Sequence, residues 1–210
     1  MKKYCLFDLD GTLVDSMHTW AGTMLEILAE ENVSYPDDTV RIITPLGYNG
    51  TAEYFLKLGV KSTKENLIER MYQKAENAYA TKVLAKHCVA KYLDKLVSEG
   101  VSCNVLTASP HRVTDVCLKR NGLYDKFDNV WSIDDFNMTK DNPEIYHKAA
   151  KRLGCTVDDI CFFDDNIIAL DAGKKSGMTV VGVHDSFSDD VTDKIKEFVD
   201  KYIVTFEELL

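Results

Sequence analysis

The chain has 210 residues, of which 45% are hydrophobic and 28% are charged, with 11 glycines and 4 prolines. This composition is typical of a globular protein and excludes collagen-like and wholly disordered chains. No apolar run approaches the ~20 residues that span a bilayer, and a formal net charge of -9 disfavours a nucleic-acid-binding surface. We therefore expect a soluble protein with neither a membrane nor a nucleic-acid partner.

The cysteines are predicted to be small buried thiols. They occur singly, mostly among apolar residues, and none forms the CxxC pair typical of zinc or redox sites. The first residues also lack the long apolar segment and the cleavage site of a secretory signal peptide. Together these features predict a cytoplasmic protein.

The first predicted strand, residues 4–7, is followed by a long segment without a strand pattern. Residues 16–82 instead carry apolar positions three and four apart, in one stripe from Trp20 to Leu28 and another from Leu67 to Ala78. Ser62 and Glu65 have the spacing of a capping box ahead of the second stripe. The pattern predicts an all-helical domain inserted after the first strand.

From residue 83 onward, short apolar runs alternate with helical patterns. Strands are predicted at 103–106, 130–131, 160–163 and 179–183, and helices at 88–99, 109–121 and 142–154. Ser109-Pro110 and Asn142-Pro143 each predict a capping residue with proline in the first helical turn. Continuous hydrophobicity indicates strands covered on both faces, and the alternation predicts an open parallel α/β sheet. The predicted domains are therefore an α/β core, 1–15 with 83–210, and a helical domain, 16–82.

Acidic residues follow two of the predicted strands. Asp8 and Asp10 come after the first strand, and Asp164 and Asp165 come after the strand at 160–163. Ligands bind at the carboxyl ends of strands in open parallel sheets, so we expect these carboxylates to converge. Charges ~4 Å apart repel by a few kcal/mol, a repulsion that a hard cation such as Mg²⁺ relieves. Because Asp8 and Asp10 alternate along an extended segment, one can attack a substrate while the other handles protons.

Other residues near strand ends have the properties of an anion site. Thr107 ends a predicted strand, and its hydroxyl and the amides of Ala108 and Ser109 precede a helix N-terminus. Gly11 permits the tight turn by which a backbone approaches a ligand. Simpler interpretations stay open, because an isolated Asp pair or Ser109 can cap a helix and a lone lysine such as Lys140 is usually solvated.

Four motifs together resemble the haloacid dehalogenase superfamily, in the branch of phosphoglycolate phosphatase and β-phosphoglucomutase. They lie in the family's order at residues 7–16, 106–109, 140–146 and 163–178. The first, Phe-Asp-Leu-Asp-Gly-Thr-Leu-Val-Asp-Ser, is the most specific. The resemblance implies a Rossmann-like open parallel sheet with a closing strand near 202–204, and a small helical cap domain, which the helical insert matches.

The resemblance also implies a role for each motif. Asp8 is expected to attack phosphorus and form an aspartyl-phosphate, while Asp10 protonates the leaving oxygen and then activates water. Mg²⁺ is expected on the Asp8 carboxylate, the Asp10 carbonyl and Asp165, with Asp164 a direct or water-mediated ligand. The residues expected around the phosphoryl group are Gly11, Thr107, Ala108, Ser109 and Lys140. The substrate is expected to be a small phosphorylated metabolite.

Two departures from the family's motifs leave alternatives open. Asp164-Asp165-Asn166 stands where relatives often have Gly-Asp or Glu-Asp and then Ser, so the division of metal-binding duties between the two aspartates is open. Residues 45–50 resemble the substrate-facing cap loop but lack the arginine with which sugar-phosphate mutases hold a second phosphate. Tyr48 and Asn49 are expected to face an uncharged leaving group, or else to form a turn between helices.

A Mg²⁺-dependent phosphatase, monomeric or weakly dimeric, is the favoured interpretation. A sugar-phosphate mutase of the β-phosphoglucomutase type and a non-catalytic metabolite-binding regulatory module are the alternatives. Cap opening is expected to control access to the site, with hinges at residues 14–16 and 82–83.

Overall fold

The computed structural model describes residues 2–210, apart from the side chain of Pro45. Its strands are β1 (Tyr4–Phe7), β2 (Ser102–Thr107), β3 (Asn129–Ser132), β4 (Ile160–Asp164), β5 (Thr179–Val183) and β6 (Lys201–Ile203). Its α-helices are α1 (Met17–Glu30), α2 (Thr39–Ile43), α3 (Gly47–Leu58), α4 (Lys64–Thr81), α5 (Val89–Ser98), α6 (His111–Arg120), α7 (Glu144–Leu153), α8 (Ile167–Ser176) and α9 (Thr192–Phe198). Among residues 2–210, no helix combines the length and the apolar character needed to cross a membrane.

The chain folds into two compact units. The sheet-bearing unit comprises the chain up to Asp15 together with Leu84–Leu210, and the helical unit comprises Ser16–Val83, which includes α1 to α4. The boundary predicted after residue 82 differs from this division by one residue, Val83. No strand occurs in residues 16–83, whose backbone the structure describes throughout.

The strands of the described chain form one parallel sheet in the order β3-β2-β1-β4-β5-β6. The chain begins in the middle of the sheet, adds β2 and β3 on one side, and then adds β4, β5 and β6 on the other. The order therefore reverses between β1 and β4, and such a reversal is where open α/β sheets bind ligands. The predicted α/β class and Rossmann-like parallel sheet are confirmed.

Helices cover both faces of this sheet, as the unbroken hydrophobicity of its strands predicts. On one face, Leu6 and Phe162 belong to a buried cluster with Ile145 and Tyr146 of α7 and Leu170 of α8. Complete burial of each such side chain stabilises the fold by about 1.5–3 kcal/mol. This packing fixes β1 and β4 at the centre of the unit.

The opposite face of the same strands is aromatic, because side chains alternate along a strand. The rings of Phe7 and Phe163 stack with their centroids 4.6 Å apart. Tyr92 of α5 and Phe206 lie 6.0 Å and 6.1 Å from the Phe163 ring. This packing of rigid rings therefore holds Phe7 and Phe163 in place, and these residues directly precede Asp8 and Asp164.

Within the helical unit, α1 packs against α4. The predicted apolar stripes are buried, namely Trp20, Met24, Ile27 and Leu28 on α1 and Leu67, Met71, Ala75 and Ala78 on α4. Beside this contact, Lys74 Nζ of α4 lies 2.6 Å from Glu30 and 3.3 Å from Glu26 of α1.

The prediction places the capping residue of α4 one position too early. Thr63, not Ser62, is the capping residue, and its hydroxyl accepts the N–H of Asn66 at 3.2 Å. Thr63 has the extended backbone that a cap requires, with φ -85° and ψ 159°. Because both residue types cap helices, the sequence does not distinguish between them.

The start of α6 also differs from the prediction. The helix begins at His111, after Pro110, and Ser109 is not its cap. The Ser109 hydroxyl instead donates to Asp10 Oδ2 at 2.6 Å. The Ser109 hydroxyl therefore holds an acidic side chain that follows β1, and it does not cap the helix.

Candidate active site

The carboxyl ends of β1 and β4 bring acidic residues together. Phe7 lies opposite Phe163 in the sheet, and the N–H of Asp8 donates to the Phe163 carbonyl at 2.9 Å. Asp8 therefore leaves β1 beside Asp164 and Asp165. One carboxylate oxygen from each of the three lies within 4.8 Å of the other two, and all three side chains are buried. Pairing of strands far apart in sequence thus brings together three of the four carboxylates that the strand-end pattern predicts, and Asp10 is not in this group.

Lys140 lies between two of these carboxylates. Its Nζ is 2.6 Å from Asp8 Oδ1 and 2.6 Å from Asp164 Oδ2, and its side chain is only 12% exposed. The Lys140 carbonyl and the Ala169 carbonyl each lie 2.9 Å from the Tyr146 hydroxyl, so α7 and α8 fix the loop that carries the lysine. The simpler interpretation of Lys140 as a solvated surface residue is wrong.

The cluster has an excess of negative charge, because three buried carboxylates face one ammonium group. Burial raises the pKa of Asp8 well above its usual value, and the neighbouring carboxylates add to this rise while Lys140 opposes it. Burial and the charge of Asp164 raise the pKa of Asp165 to about 7. Burial lowers the pKa of Lys140, but Asp164 and Asp8 outweigh it, so the net shift is upward and the lysine is charged. A further cation would favour the ionised forms of Asp8 and Asp165 near neutral pH.

The donor atoms of the cluster suit a hard cation, since all are carboxylate oxygens. The two aspartates at the end of β4 differ in how their oxygens are used. Asp164 Oδ1 accepts the Asn166 N–H at 2.8 Å, and its Oδ2 faces the lysine. Asp165 accepts longer hydrogen bonds, from the hydroxyls of Thr12 at 3.1 Å and Ser188 at 3.4 Å. Asp165 therefore has more capacity than Asp164 to bind a metal directly.

Gly11 allows the turn after β1 to lie against Asp165. Its φ of +73° is in the left-handed region that favours glycine. A Cβ at this position would lie 2.7 Å from Asp165 Cγ, so any larger residue must displace the carboxylate. The tight turn predicted at Gly11 is thus present, and it brings the backbone against a side chain of the cluster, while its approach to a ligand stays a prediction.

A second largely buried lysine, which the sequence pattern did not identify, supports the same turn. Lys86 Nζ donates to the Gly11 carbonyl and lies 2.6 Å from the His184 carbonyl and 2.9 Å from Asp185 Oδ2. Its three hydrogens are therefore matched by three acceptors. Asp185 follows β5, so an examination of that strand's end would have found the acidic partner. Nothing in the sequence next to Lys86 marks the lysine itself.

Asp10 is linked to the end of β2. Its Oδ2 accepts the Ser109 hydroxyl at 2.6 Å, and the Ser109 N–H donates to Thr107 Oγ1 at 3.0 Å. Thr107 and Ser109 are buried, Asp10 is half-buried and Ala108 is exposed. The structure therefore brings Asp10 together with the segment 107–109 and holds one of its carboxylate oxygens in place.

Tyr48 and Asn49 belong to the helical unit, in the first turn of α3. The Tyr48 ring is buried and lies 4.6 Å from the Tyr72 ring and 6.4 Å from the Trp20 ring. Asn49 is exposed. Packing alone accounts for the position of Tyr48, and the contact of both residues with a substrate stays a prediction.

Comparisons with known proteins show which family the chain belongs to. The model of the haloacid dehalogenase-like hydrolase family matches residues 5–183. The pyrophosphatase PpaX of Bacillus velezensis is 27% identical over 179 residues, which cover 85% of this chain and 81% of that protein. A phosphorylated carbohydrates phosphatase of Thermotoga maritima is 23% identical over 186 residues, which cover 88% and 86%.

Solved structures show the same fold. A variant of CbbY from Rhodobacter sphaeroides, in complex with xylulose-(1,5)bisphosphate, has a TM-score of 0.85 at 16% identity and covers 100% of this chain and 96% of its own. The family match includes the three clustered aspartates, Lys140 and the turn at Gly11. The chain belongs to the haloacid dehalogenase-like hydrolase family.

Proposed function

We propose that this protein is a Mg²⁺-dependent phosphatase that hydrolyses a small phosphorylated metabolite through an aspartyl-phosphate on Asp8. The observation that carries the proposal is the buried Asp8 carboxylate, held by Lys140 beside Asp164 and Asp165. A carboxylate positioned by a cationic side chain suits covalent displacement at phosphorus. The relatives named as phosphatases support the same conclusion.

Lys140 positions the nucleophile in the first step. It donates to Asp8 Oδ1, and we assign the attack on phosphorus to Oδ2. As the new O–P bond forms, the bond from phosphorus to the leaving oxygen breaks, and the phosphoryl group passes to Asp8. We assign the binding of the phosphoryl oxygens to the Thr107 hydroxyl, the Ala108 N–H and Lys140, with Gly11 and Ser109 beside them.

Asp10 handles the protons in both steps. The Ser109 hydroxyl, 2.6 Å from Asp10 Oδ2, holds the carboxyl group in one orientation. Protonated Asp10 gives its proton to the leaving oxygen. Ionised Asp10 then takes a proton from the water that attacks phosphorus, the Asp8–phosphorus bond breaks, and both residues return to their starting states.

A bound Mg²⁺ would supply positive charge that neutralises the phosphoryl group. The Asp8 and Asp165 carboxylates and the Asp10 carbonyl would hold the ion. Asp164 would act through water, because one of its oxygens accepts an amide N–H and the other accepts from Lys140.

Hydrolysis of p-nitrophenyl phosphate in the presence of Mg²⁺ tests the proposal. Asp8→Asn preserves the shape of the side chain but removes the nucleophilic charge, and kcat should fall by at least ~10³-fold. Asp171→Asn is the matched control, since Asp171 is a half-exposed residue paired with Lys175 at 2.5 Å. Its rate should be unchanged. Equal rates for Asp8→Asn and the unaltered protein would contradict the proposal.

The acid role of Asp10 makes a separate prediction. p-Nitrophenolate leaves without a proton, whereas the alkoxide of an alkyl phosphate such as glycerol phosphate needs one. Asp10→Asn should therefore lower kcat/KM for the alkyl phosphate by about 10²-fold or more, and much less for p-nitrophenyl phosphate. Steady-state kinetics with both substrates give the comparison, and an equal loss for both would exclude the acid role.

Two further measurements separate the phosphatase from the alternatives. Isomerisation of a sugar phosphate that outpaces phosphate release would favour the mutase. A metabolite that raises the melting temperature but is not consumed with Mg²⁺ present would favour the regulatory module.

A further inference from the structure

A different group of metal-binding side chains lies elsewhere in the sheet-bearing unit. It consists of His87, Cys88 and Glu207, and one donor atom from each lies within 4.8 Å of the other two. His87 and Cys88 directly precede α5, and Glu207 lies in the 3-10 helix Phe206–Leu209. The group is therefore built from two segments that are far apart in sequence.

The protein's own packing holds these two segments together. The ring of Tyr92 in α5 lies 5.6 Å from the ring of Phe206, which is fully buried. Lys95 Nζ of the same helix lies 2.9 Å from the Leu209 carbonyl and 3.0 Å from the Leu210 carbonyl. Because helix and turn are already fixed against each other, little backbone conformational entropy is lost when the three donors bind one ion.

The donor atoms suit a tetrahedral transition-metal ion. Metal–ligand bonds of about 2.0–2.3 Å at tetrahedral angles place ligand atoms roughly 3.3–3.8 Å apart. His87 Nε2 lies 3.7 Å from Glu207 Oε2. Imidazole, thiolate and carboxylate together favour Zn²⁺ over Mg²⁺, which takes oxygen ligands. The side chains of His87 and Glu207 are 67% and 68% exposed, so water can reach the fourth position.

The backbone at Cys88 gives a further indication. Its φ of 62° lies in the left-handed region, which costs free energy for residues other than glycine. The other non-glycine residues with positive φ in residues 2–210 are Asn32 and Asn137, and asparagine adopts this conformation more readily than most residues. Glycine would suit the backbone at position 88 better than cysteine, but glycine has no metal-binding side chain.

We propose that His87, Cys88 and Glu207 bind one Zn²⁺ per chain, with the Cys88 thiol losing its proton to solvent as the metal binds. The ion ties the turn Phe206–Leu209 to the segment that enters α5. That segment includes Lys86, which contacts the Gly11 carbonyl. Zn²⁺ therefore stabilises the part of the chain that supports the turn after β1.

Co²⁺ is the probe for this site, since it replaces Zn²⁺ and reports a thiolate ligand through a charge-transfer band in the near ultraviolet. The full chain is titrated with Co²⁺ without oxygen and in excess Mg²⁺, which occupies the carboxylate cluster. The unaltered protein should develop the band with one equivalent of Co²⁺. Cys88→Gly should abolish the band, and the control Cys155→Ser, which changes another partly buried thiol, should retain it.

The glycine variant separates loss of metal binding from misfolding. Glycine relieves the backbone at φ 62°, so without Zn²⁺ the melting temperature of Cys88→Gly should equal or exceed that of the unaltered protein. Zn²⁺ should raise the melting temperature of the unaltered protein, and this shift should shrink in His87→Gln and Glu207→Gln. No band in the unaltered protein, or a band that survives Cys88→Gly, would overturn the proposal.

Discussion

At the scale of single residues, two largely buried lysines neutralise carboxylates in different ways. Lys140 lies 2.6 Å from Asp8 and from Asp164, so it acts on the proposed nucleophile. Lys86 pairs with Asp185 and also donates to the carbonyls of Gly11 and His184, so it acts on the backbone. Lys140 is therefore assigned to the proposed chemistry itself, whereas Lys86 supports the shape of the turn after β1.

Lys86→Met should strongly destabilise the protein. Asp185 is only 4% exposed, and removing one partner of a buried ion pair costs about 3–5 kcal/mol in the free energy of unfolding. Asp185→Asn in the same chain should recover part of the loss, because the amide oxygen can still accept the Phe187 N–H and carries no charge. Urea denaturation of the single and double variants measures the coupling.

Lys174→Met is the matched control for this cycle. Lys174 and Asp200 form a pair in which both side chains are 39% exposed, and breaking such a pair should cost less than ~1 kcal/mol. If Lys86→Met and Lys174→Met lower the free energy of unfolding by the same amount, the Lys86–Asp185 pair does not have the structural role assigned to it.

Gly11→Ala tests the contact of the turn with Asp165. Gly100 has nearly the same φ, +74° against +73°, but a Cβ at Gly100 would meet no atom within 4 Å. Both alanine variants should lose about 1 kcal/mol of stability from the backbone alone. Gly11→Ala should in addition lower kcat/KM by about 10²-fold and weaken Mg²⁺ binding, because it displaces a proposed ligand. Identical kinetics in the two variants would show that the contact does not matter.

The carboxylate cluster could be predicted from sequence because its members lie at the carboxyl ends of strands or shortly after them. The role of Lys86 could not, since its acceptor at Gly11 lies 75 residues away and no local pattern links the two. Ser109 shows the other limit. A serine before a proline is a good helix cap, and only the paired strands reveal that its hydroxyl donates to Asp10 instead.

At the scale of elements, Gly173 sets how closely α8 approaches the sheet. A Cβ there would lie 2.8 Å from the ring of Phe162 in β4 and 3.3 Å from Val180 in β5. Helix α8 starts two residues after Asp165, with Asn166 as its cap. The contact at Gly173 therefore fixes the helix that continues directly from the acidic end of β4.

Gly173→Ala should lower the free energy of unfolding by about 1–3 kcal/mol, because the added methyl group overpacks this contact. Gly22→Ala provides the comparison, since Gly22 is exposed within α1 and a Cβ there would meet no neighbour within 4 Å. That variant should gain up to ~1 kcal/mol from helix propensity. Thermal or urea unfolding measures both, and a stabilising Gly173→Ala would contradict the close approach of α8.

Element types were easier to predict than element ends. The central strands are almost fully buried, and their apolar runs indicate this directly. The edge strand β3 is only half-buried, so its weaker pattern predicts two residues where the strand has four. The predicted helix starts were wrong where either of two adjacent residues could cap the helix, as at Ser62 and Thr63.

At the scale of the whole molecule, the net charge of -9 is unevenly distributed. Part of it is concentrated at the point where the strand order reverses, where Asp8, Asp164 and Asp165 face Lys140. The open parallel sheet could be predicted from the alternation of strands and helices. The order of its strands could not, because the apolar runs do not specify which strands are neighbours.

The stability of the protein stripped of metal should fall as the pH rises from about 4 to about 7. The pKa of Asp165 is raised from 3.8 to about 7 by burial and by Asp164. In this range the folded state keeps a proton that the unfolded state has released, so a contribution present at low pH is lost as the pH passes the folded pKa. Mg²⁺ competes with that proton and should stabilise the protein more near pH ~8 than near pH ~5.

Thermal melts in EDTA and in Mg²⁺ at the two pH values measure this effect. Asp165→Asn should remove part of the pH dependence, because the amide does not titrate whereas Asp8, whose pKa burial also raises, still does. A Mg²⁺-induced shift in melting temperature that is the same at both pH values would contradict the assignment of the cluster as the metal site.

Trapping the phosphorylated enzyme tests the role of Asp8 most directly. The protein is mixed with substrate and Mg²⁺, quenched in acid within a single turnover, and treated with borohydride, which reduces an acyl phosphate to an alcohol. Mass spectrometry of the digested chain should then find homoserine in place of Asp8, and none in Asp8→Asn. Unmodified Asp8 in a sample that has released phosphate, or reduction at another carboxylate, would contradict the proposed mechanism.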